Sequence, residues 1–314
     1  MEFRITRKDA GKTVREFITA YLPISSKMLK YLKYRENGIC VDGVRRTVRY
    51  RLSEGELLFL ATEDTESAPI LPVDLPLEIL YEDEDLVVPA KGAQMPTHPS
   101  HDHYGDTVAN ALAFRYANMG VPFVFRPINR LDRNTSGLLL IARNKMAAGR
   151  LSRAMQEGVI RKSYLAVLEG ELSPDHGVID APLHRTEQSI IVREVCSIDT
   201  PDAEIAKTEY RVLARGGGFT LVQAFPITGR THQLRVHFAH LGHPIVGDDL
   251  YGSPSPYIAR HALHAHTLTF PHPVTQERME VCAPPPADFM LLTERFLPCP
   301  LADFFKERSQ GHDG

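Results

Sequence analysis

Apolar residues near the start of the chain recur at the spacing of one face of a helix. This first stripe comprises Val14, Phe17, Ile18, Tyr21 and Leu22. Thr13 and Glu16 form a capping-box pattern at its start, and Pro23 predicts its end. A second stripe predicts another short helix, which Ser25 or Ser26 can cap. Its apolar members are Met28, Leu29, Tyr31 and Leu32.

The pattern then changes to short apolar runs separated by turn residues. The sequence around Asp42-Gly43 predicts a β-hairpin, and a further strand follows at Leu57 to Leu60. We therefore expect a small domain at residues 1–62. Residues 63–76 are acidic and contain three prolines, a composition typical of a linker.

From Leu77 onward, apolar runs bounded by turn-forming residues predict a second domain over residues 77–300, followed by a tail over 301–314. The predicted strands are two runs around residues 82–85, then Leu138 to Ala142, Arg161 to Leu168, Ala206 to Leu213 and Phe219 to Ala224. One helix is expected to start at Asn144, and another to run from Thr231 to Gly242. In the latter helix, the apolar stripe is Leu234, Phe238 and Leu241.

The composition is that of a soluble globular protein, with 43% hydrophobic and 24% charged residues among 314. No apolar run approaches the roughly 20 residues that a membrane-spanning helix needs. The N-terminus lacks the apolar core of a secretion signal. The four cysteines are far apart and include no CxxC pair, which indicates reduced thiols and a cytoplasmic location.

Charge is unevenly distributed along the chain, although the net charge is only −3. Residues 1–62 hold 13 basic and 7 acidic residues, whereas residues 63–85 hold 9 acidic residues and no basic ones. Residues 126–162 hold 9 basic and 2 acidic residues. Two basic segments suit a polyanion-binding surface, and the alternative is that they are ordinary solvated faces.

The segment Arg126 to Asn144 contains the strongest candidate for chemistry, Asp132. Asp132 is followed by Asn-Thr-Ser-Gly, a cluster of turn-forming residues, and then by the buried strand predicted from Leu138. A loop fixed against a core strand can hold a reactive side chain still. The alternative is that Asp132 is only a turn residue.

Histidines form three groups that raise the alternative of a metal site: His98, His101 and His103; His232, His237, His240 and His243; His261, His264 and His266. The HxxH spacing at 237–240 can place two imidazoles on one helical face. However, the carboxylate that hydrolytic metal sites add at fixed spacing, as in HExxH, is missing. No phosphate-binding loop of the GxxxxGK[ST] type follows a strand either.

Three strings resemble the motifs of the RluA-type pseudouridine synthases. RLDRNTSGLLL at 130–140 resembles the catalytic motif, whose Asp is the nucleophile. KSYLAVLEG at 162–170 resembles the second motif, whose Tyr lies against the target base. TGRTHQLRVHFAHLGHPIVGDDLYG at 228–252 resembles the third, whose Arg pairs with the catalytic Asp. Two departures are Asn129, where the family usually has His, and Lys91-Gly92-Ala93-Gln94, where it usually has Lys-Pro-Ala-Gly.

The resemblance implies an α+β fold, with a mixed and mainly antiparallel sheet, flanking helices and a central cleft. It implies Asp132, Tyr164 and Arg235 as catalytic residues. The RNA contacts that we expect in this domain are Arg130, Leu131, Thr135, Gly137, Arg230, His232 and Leu263. The N-terminal residues resemble a small RNA-binding module first described in a ribosomal small-subunit protein, and the basic side of its second helix carries Lys27 and Lys30. The alternative for this module is a packing or dimerisation domain.

We therefore expect a monomeric enzyme that isomerises uridine in ribosomal or transfer RNA, without a cofactor, a metal, DNA or a membrane. Asp132 would act as nucleophile or as base at the ribose, and Arg235 would be its counter-ion. Arg130 could occupy the gap left by a flipped base, or it could contact phosphate. The two rival functions are a non-catalytic RNA-binding or ribosome-assembly factor and a His-rich metallohydrolase.

Overall fold

The computed structural model describes residues 2–21, 29, 32–34, 37–61, 70–100, 102–187, 189 and 191–298. The predicted RNA contacts Lys27 and Lys30 lie outside the described residues, as do residues 63–69 of the expected linker and the tail. The described residues form a small N-terminal sheet and a large sheet, with separate hydrophobic cores.

The N-terminal sheet consists of four short antiparallel strands in the order β1-β4-β2-β3. They are β1 (Glu2–Arg4), β2 (Ile39–Val41), β3 (Val44–Arg45) and β4 (Leu57–Leu60). Asp42 and Gly43 have positive φ and form the two-residue turn of the predicted hairpin.

Helix α1 (Val14–Tyr21) packs on this sheet and confirms the predicted capping box. Thr13 N donates to Glu16 Oε2 at 2.7 Å, and Glu16 N donates to Thr13 Oγ1 at 3.1 Å. These two bonds satisfy backbone donors that an uncapped helix would leave open. The buried residues of the helix are Val14, Phe17 and Ile18.

Eleven described strands form the large sheet. They are β5 (Glu78–Glu82), β6 (Leu86–Lys91), β7 (Arg126–Pro127), β8 (Ser136–Leu138), β9 (Ile141–Ala142), β10 (Arg161–Glu169), β11 (His176–Asp180), β14 (Lys207–Gly216), β15 (Phe219–Pro226), β16 (Leu263–Pro271) and β17 (Arg278–Cys282). A separate ribbon pairs β12 (Leu183–Arg185) with β13 (Arg193–Val195).

The order of the large sheet is β11-β14-β15-β10-β16-β8-β6-β9-β7, with β5 beside β6 and β17 beside β16. Among these described strands, β8 and β16 form the one parallel pair. The predicted mixed, mainly antiparallel architecture is therefore confirmed. The parallel pair brings the chain just after Asp132 next to a strand more than a hundred residues later in the sequence.

Four described helices accompany the large sheet: α2 (Val108–Asn118), α3 (Lys145–Gln156), α4 (Gln233–His240) and α5 (Ala287–Phe296). Helix α3 begins at its predicted cap, because Asn144 Oδ1 accepts a hydrogen bond from Ala147 N at 2.8 Å. None of the helices in the described ranges has the length and apolar character to cross a bilayer.

The predicted apolar run Leu138 to Ala142 is fully buried, because both faces of the sheet are covered. Leu138 and Leu140 share a core with Leu151 of α3. Leu139 and Ile141 point to the opposite core, which residues of α2, α4 and α5 complete. The Asp132 loop therefore leads directly into the centre of the molecule.

Two sequence expectations for α4 are wrong. The helix starts at Gln233 and not after a Thr231 cap, because the Gln233 side chain closes the turn. Its Oε1 accepts hydrogen bonds from Arg230 N at 3.0 Å and from Thr228 Oγ1 at 2.7 Å. Leu241 is 37% exposed, since it follows the last helical turn and the chain reverses at the next residue.

Candidate active site

A cleft of about 1180 Å³ lies where the loop before β8, the start of β10, the end of β15 and the start of α4 meet. Its lining contains six basic residues, Arg130, Arg133, Arg161, Lys162, Arg230 and Arg235. The lining contains two acidic residues, Asp132 and Glu209. An excess of positive charge in a cleft favours a polyanionic ligand.

Asn129 supports the loop that carries Asp132. Its Nδ2 donates to Leu138 O at 3.2 Å, and its Oδ1 accepts from Leu140 N at 2.7 Å. These bonds serve backbone groups at the end of β8 and just before β9, where the strand pairing is interrupted. Asn129 thus performs a supporting role at the position where the resembling family usually has His.

Two further side chains hold the backbone on either side of Asp132. Thr97 Oγ1 donates to Leu131 O at 3.1 Å and accepts from Leu131 N at 3.3 Å. Lys91 Nζ donates to Arg133 O at 2.9 Å. Because the residues before and after it are both fixed, Asp132 is held in a defined position.

Lys91 is a functional candidate that the sequence reasoning missed, although it noted the altered loop at 91–94. It ends β6 and is 2% exposed. Burial lowers the pKa of Lys91 to about 7, even though the nearby carboxylate of Asp132 acts to raise it. A lysine that ends an otherwise apolar strand is the sequence signal that could have revealed it.

The Asp132 carboxylate lies beside two nitrogen donors but bonds closely to neither. Its Oδ2 is 3.6 Å from Arg235 Nη1 and 3.9 Å from His232 Nε2. Both distances exceed that of a direct hydrogen bond. The side chain is 29% exposed towards the cleft. The described residues offer no side-chain hydrogen bond to this carboxylate, which leaves it open to a ligand.

Arg235 is buried and is bound most tightly to Asp248, a residue that the sequence reasoning missed. Arg235 Nε and Nη2 donate to the two Asp248 carboxylate oxygens at 2.6 and 2.7 Å. Asp248 is fully buried. Burial acts to raise the pKa of Asp248, but the Arg235 guanidinium outweighs it, so the pKa lies below its usual value. The bidentate pair fixes the guanidinium, with Nη1 towards Asp132.

Tyr164 lines the same cleft from β10 and is buried. Burial raises its pKa, and the nearby charge of Asp132 adds to that rise, so the phenol is neutral. The structure thus brings together in one cleft the three residues that the resemblance implied as catalytic, Asp132, Tyr164 and Arg235.

Most of the other predicted RNA contacts also line this cleft. They are Arg130, Leu131, Thr135, Arg230, His232 and Leu263. Arg130 is exposed. Arg230 is bound to Glu204 at 3.0 Å, and Thr135 Oγ1 lies 2.8 Å from His261 Nε2.

Gly137 is the exception among the predicted RNA contacts. It lies inside the sheet, in β8, and does not line the cleft. Its φ is +111°, and a side chain there would meet the backbone of Ala265. Gly137 therefore allows β8 to approach β16 closely, which is a packing role.

The HxxH pair does not form the metal site considered above. His237 Nδ1 hydrogen-bonds to Thr208 Oγ1 at 2.9 Å, and its Nε2 to Ala181 O at 3.0 Å. His240, by contrast, is exposed at the end of α4. Of the other groups, His264 and His266 both hydrogen-bond to Ala283 O. These histidines are structural partners of the backbone.

Within the described ranges, Asp83, Asp85 and His272 are the one group of three close enough to hold a metal ion. Both Asp83 oxygens accept hydrogen bonds, from Tyr81, His272 and two backbone N–H groups. His272 Nδ1 accepts two backbone N–H bonds, so its Nε2 carries hydrogen and cannot bind a metal. This group is a closed hydrogen-bond network.

Comparison with known proteins agrees with this geometry. The profile of the RNA pseudouridylate synthase family matches residues 85–240. The chain is 39% identical over 281 residues to the uncharacterized RNA pseudouridine synthase YjbO of Bacillus subtilis, across 89% of this chain and 98% of that protein. It is 34% identical over 272 residues to ribosomal large subunit pseudouridine synthase D of Haemophilus ducreyi, across 82% and 81%.

A solved structure has the same fold. Human RNA pseudouridylate synthase domain containing 1 superposes with a TM-score of 0.60 at 30% identity, across 80% of this chain and 100% of that chain. Sequence and fold therefore lead to the same assignment. This chain belongs to the RluA-type family of RNA pseudouridine synthases and is an isomerase.

Proposed function

We propose that this enzyme isomerises a uridine of large-subunit ribosomal RNA, with Asp132 acting on the ribose of a base flipped into the cleft. The observation that carries the role of Asp132 is its open carboxylate in a basic cleft, beside the fixed Arg235. The choice of RNA is supported by relatives named as large-subunit synthases, from Haemophilus ducreyi and Vibrio vulnificus.

The reaction breaks the bond between uracil N1 and ribose C1′, turns the uracil, and joins its C5 to the same C1′. The proton displaced from C5 passes to solvent and N1 takes up a proton from solvent, so atoms and charge balance without redox chemistry. Asp132 acts either as nucleophile at C1′ or as base at the neighbouring ribose carbon. Positive charge develops at C1′ in either route, as it does in glycoside hydrolysis.

Arg235 stabilises the negative charge of the Asp132 carboxylate inside the cleft. Removing water from a carboxylate disfavours its charged form, and a fixed cation offsets that effect. At 3.6 Å, Arg235 Nη1 is close enough to stabilise the charge but leaves the oxygens available to the ribose. Its bidentate bond to Asp248 prevents the guanidinium from closing on Asp132.

Tyr164 and Arg130 position the target base. Tyr164 is neutral and buried in the cleft wall, and its ring offers an aromatic face to the uracil. Such stacking would retain the uracil after its bond to C1′ is broken. Arg130 is exposed at the cleft and can fill the space that the flipped base leaves in the RNA.

Tritium release from RNA labelled at uracil C5 tests this proposal. We expect release from large-subunit ribosomal RNA by the wild-type protein and none by Asp132→Asn, since losing a covalent nucleophile lowers turnover by about a millionfold. The amide is nearly isosteric, so RNA binding should persist. Asp180→Asn, on the exposed edge strand β11, is the matched control and should behave like wild type.

The possible outcomes separate the two parts of the proposal. Release from transfer RNA alone would refute the ribosomal target and leave the role of Asp132 intact. Equal release by wild type and Asp132→Asn would refute the role of Asp132.

A further inference from the structure

His232 precedes α4 in a left-handed backbone conformation, with φ of 58° and no capping hydrogen bond from its side chain. Such a conformation is uncommon for a residue other than glycine. The imidazole lines the cleft, and its Nε2 lies 3.9 Å from Asp132 Oδ2. The side chain is therefore directed at the reactive carboxylate and not at the helix that it precedes.

Hydrogen bonds behind the ring determine which nitrogen carries hydrogen. Tyr251 Oη accepts a hydrogen bond from Arg193 N at 2.9 Å and lies 2.8 Å from His232 Nδ1. The phenol has one hydrogen, and donating it to Nδ1 satisfies both side chains. Neutral His232 then carries its own hydrogen on Nε2, which faces the cleft.

Burial keeps His232 in this neutral form. It lowers the pKa of His232, and the Asp132 charge opposes that change only in part. The cleft thus presents a hydrogen donor, His232 Nε2, next to a hydrogen acceptor, Asp132 Oδ2. They are too far apart to bond each other, but one oxygen atom about 2.8 Å from each could bond both.

We propose that His232 and Asp132 together bind the 2′-hydroxyl of the target ribose. His232 Nε2 would donate to the hydroxyl oxygen, and the hydroxyl would donate to Asp132 Oδ2. Asp132 Oδ1 would remain for the ribose carbon. This inference rests on the proposed function and makes His232 the residue through which the cleft distinguishes ribose from deoxyribose.

The chemistry of an RNA chain favours this hydroxyl over other groups. The 3′ and 5′ oxygens of an internal nucleotide are in phosphodiester bonds, so the 2′-hydroxyl is the one free hydroxyl on its ribose. It is attached to the carbon next to C1′, where the reaction takes place. In glycoside hydrolysis, hydrogen bonds to the equivalent hydroxyl strengthen as charge develops at the anomeric carbon.

The test compares two RNA fragments that differ only in the sugar of the uridine that the wild-type enzyme modifies. That sugar is ribose in one fragment and 2′-deoxyribose in the other. Single-turnover isomerisation is measured for both. We expect the wild-type rate to be about 100-fold lower on the deoxy substrate than on the ribose substrate. An effect of this size is typical of losing one hydrogen-bond donor that acts in the transition state. On the ribose substrate, the rate of His232→Ala should be lower than that of wild type by a similar factor. On the deoxy substrate, its rate should be little lower than that of wild type.

Two variants and one control complete the design. His232→Gln retains an N–H donor and should keep part of the preference for ribose. Tyr251→Phe removes the hydroxyl that fixes the His232 tautomer and should give an intermediate preference. His240→Ala, on the exposed end of the same helix, should leave the preference unchanged.

The outcomes are decisive either way. The inference is refuted if His232→Ala slows isomerisation of both substrates by the same factor, because a residue with a merely structural role affects both alike. If His232→Ala does not fold, His232→Gln and Tyr251→Phe are compared in the same way, and equal slowing of both substrates again refutes the inference. If the wild-type protein isomerises no uridine in any RNA, the proposed function fails instead.

Discussion

Arg235 lies near three carboxylates, those of Asp132, Asp248 and Asp249, and its strongest bonds are with Asp248, away from the proposed reaction. Asp248 holds two of its nitrogens at 2.6 and 2.7 Å, whereas Asp132 lies at 3.6 Å from the third. Breaking a buried ion pair by removing one charge costs about 3–5 kcal/mol of folding stability. We expect Asp248→Asn to lose that amount in urea unfolding. Isomerisation should also slow, because the released guanidinium can close on Asp132.

The control for that substitution is Asp288→Asn. Asp288 forms a similar bidentate pair with Arg260, at 2.7 and 3.0 Å, but it is 44% exposed and outside the cleft. Its loss should cost less than the loss of Asp248, because Asp288 is partly exposed and the buried Arg260 keeps hydrogen bonds to the carbonyl groups of Asn134, His261 and Leu263. Equal destabilisation by the two substitutions would contradict the role of burial in the Arg235–Asp248 pair.

The geometry of Arg235 also predicts that lysine cannot replace it. The planar guanidinium group binds one carboxylate through two of its nitrogens while its third nitrogen faces another carboxylate. The ammonium group of lysine lacks this geometry. Arg235→Ala should remove most activity, and Arg235→Lys should restore little of it. Steady-state turnover beside a thermal melt measures both. Near-wild-type turnover of Arg235→Lys would show that charge alone suffices.

Lys91 should make folding stability depend on pH. Its pKa of about 7 in the folded protein is below the ordinary value of 10.5, so the unfolded chain binds more protons between these values. Stability should therefore rise with pH there, by about 2 kcal/mol from pH 7 to pH 9. Lys91→Met should lack this rise. Urea unfolding at several pH values measures the free energy of unfolding of both proteins. The same dependence on pH in both would contradict this role of Lys91.

At the scale of elements, the sequence predicted what depends on local patterns. Local turn and capping chemistry, within a few residues, predicted the hairpin at Asp42-Gly43, the strand over Leu57–Leu60 and the Asn144 cap. The start of α4 was missed, because the long side chain of Gln233 closes the turn in place of a conventional cap.

Contacts between distant segments could not be predicted from such patterns. Asp248 reaches Arg235 across 13 residues and two turns, with no helical or strand spacing between them. The parallel pairing of β8 with β16 is equally non-local. The candidate site was therefore predictable as a set of motif residues. Its internal support, from Lys91, Asn129 and Asp248, was not.

Gly137 should be indispensable to the pairing of β8 with β16. Gly137→Ala would place a methyl group against the Ala265 backbone, and its φ of +111° disfavours any side chain. We expect a loss of several kcal/mol in unfolding free energy, together with loss of isomerisation. Gly218→Ala is the matched control, because its φ is +78° but nothing lies within 4 Å. It should cost only about 1 kcal/mol.

At the scale of the whole molecule, helix α3 connects the N-terminal sheet to the cleft. Its first part meets the N-terminal residues, where Met146 packs against their core and Arg150 Nη2 donates to Tyr21 O at 3.2 Å. Its last residues, Met155 and Gln156, line the cleft. At 1.5 Å per residue, Met146 and Met155 are about 14 Å apart along the helix. One RNA molecule can therefore contact both regions.

This arrangement predicts that the N-terminal module contributes affinity and not chemistry. The module has 13 basic and 7 acidic residues, and the proposed catalytic residues all follow Leu77. A variant that starts at residue 70 should retain isomerisation of an RNA fragment. Its binding should depend less steeply on salt, because each phosphate that the protein no longer neutralises reduces the slope by about 0.7 to 0.9.

Charge removal in the full-length protein separates the effect of charge from the effect of removing a folded module. Arg45 and Arg49 are exposed on the N-terminal module, so Arg45→Gln/Arg49→Gln should leave its core intact. If both residues bind phosphate, the salt slope should fall by about 1.4 to 1.8, with turnover at saturating RNA unchanged. Filter binding at several salt concentrations gives these slopes. An unchanged slope after removal of the whole module would refute its role in binding RNA. A turnover that disappears with the module, in a protein whose thermal melt shows it folded, would instead place part of the catalytic machinery before residue 70.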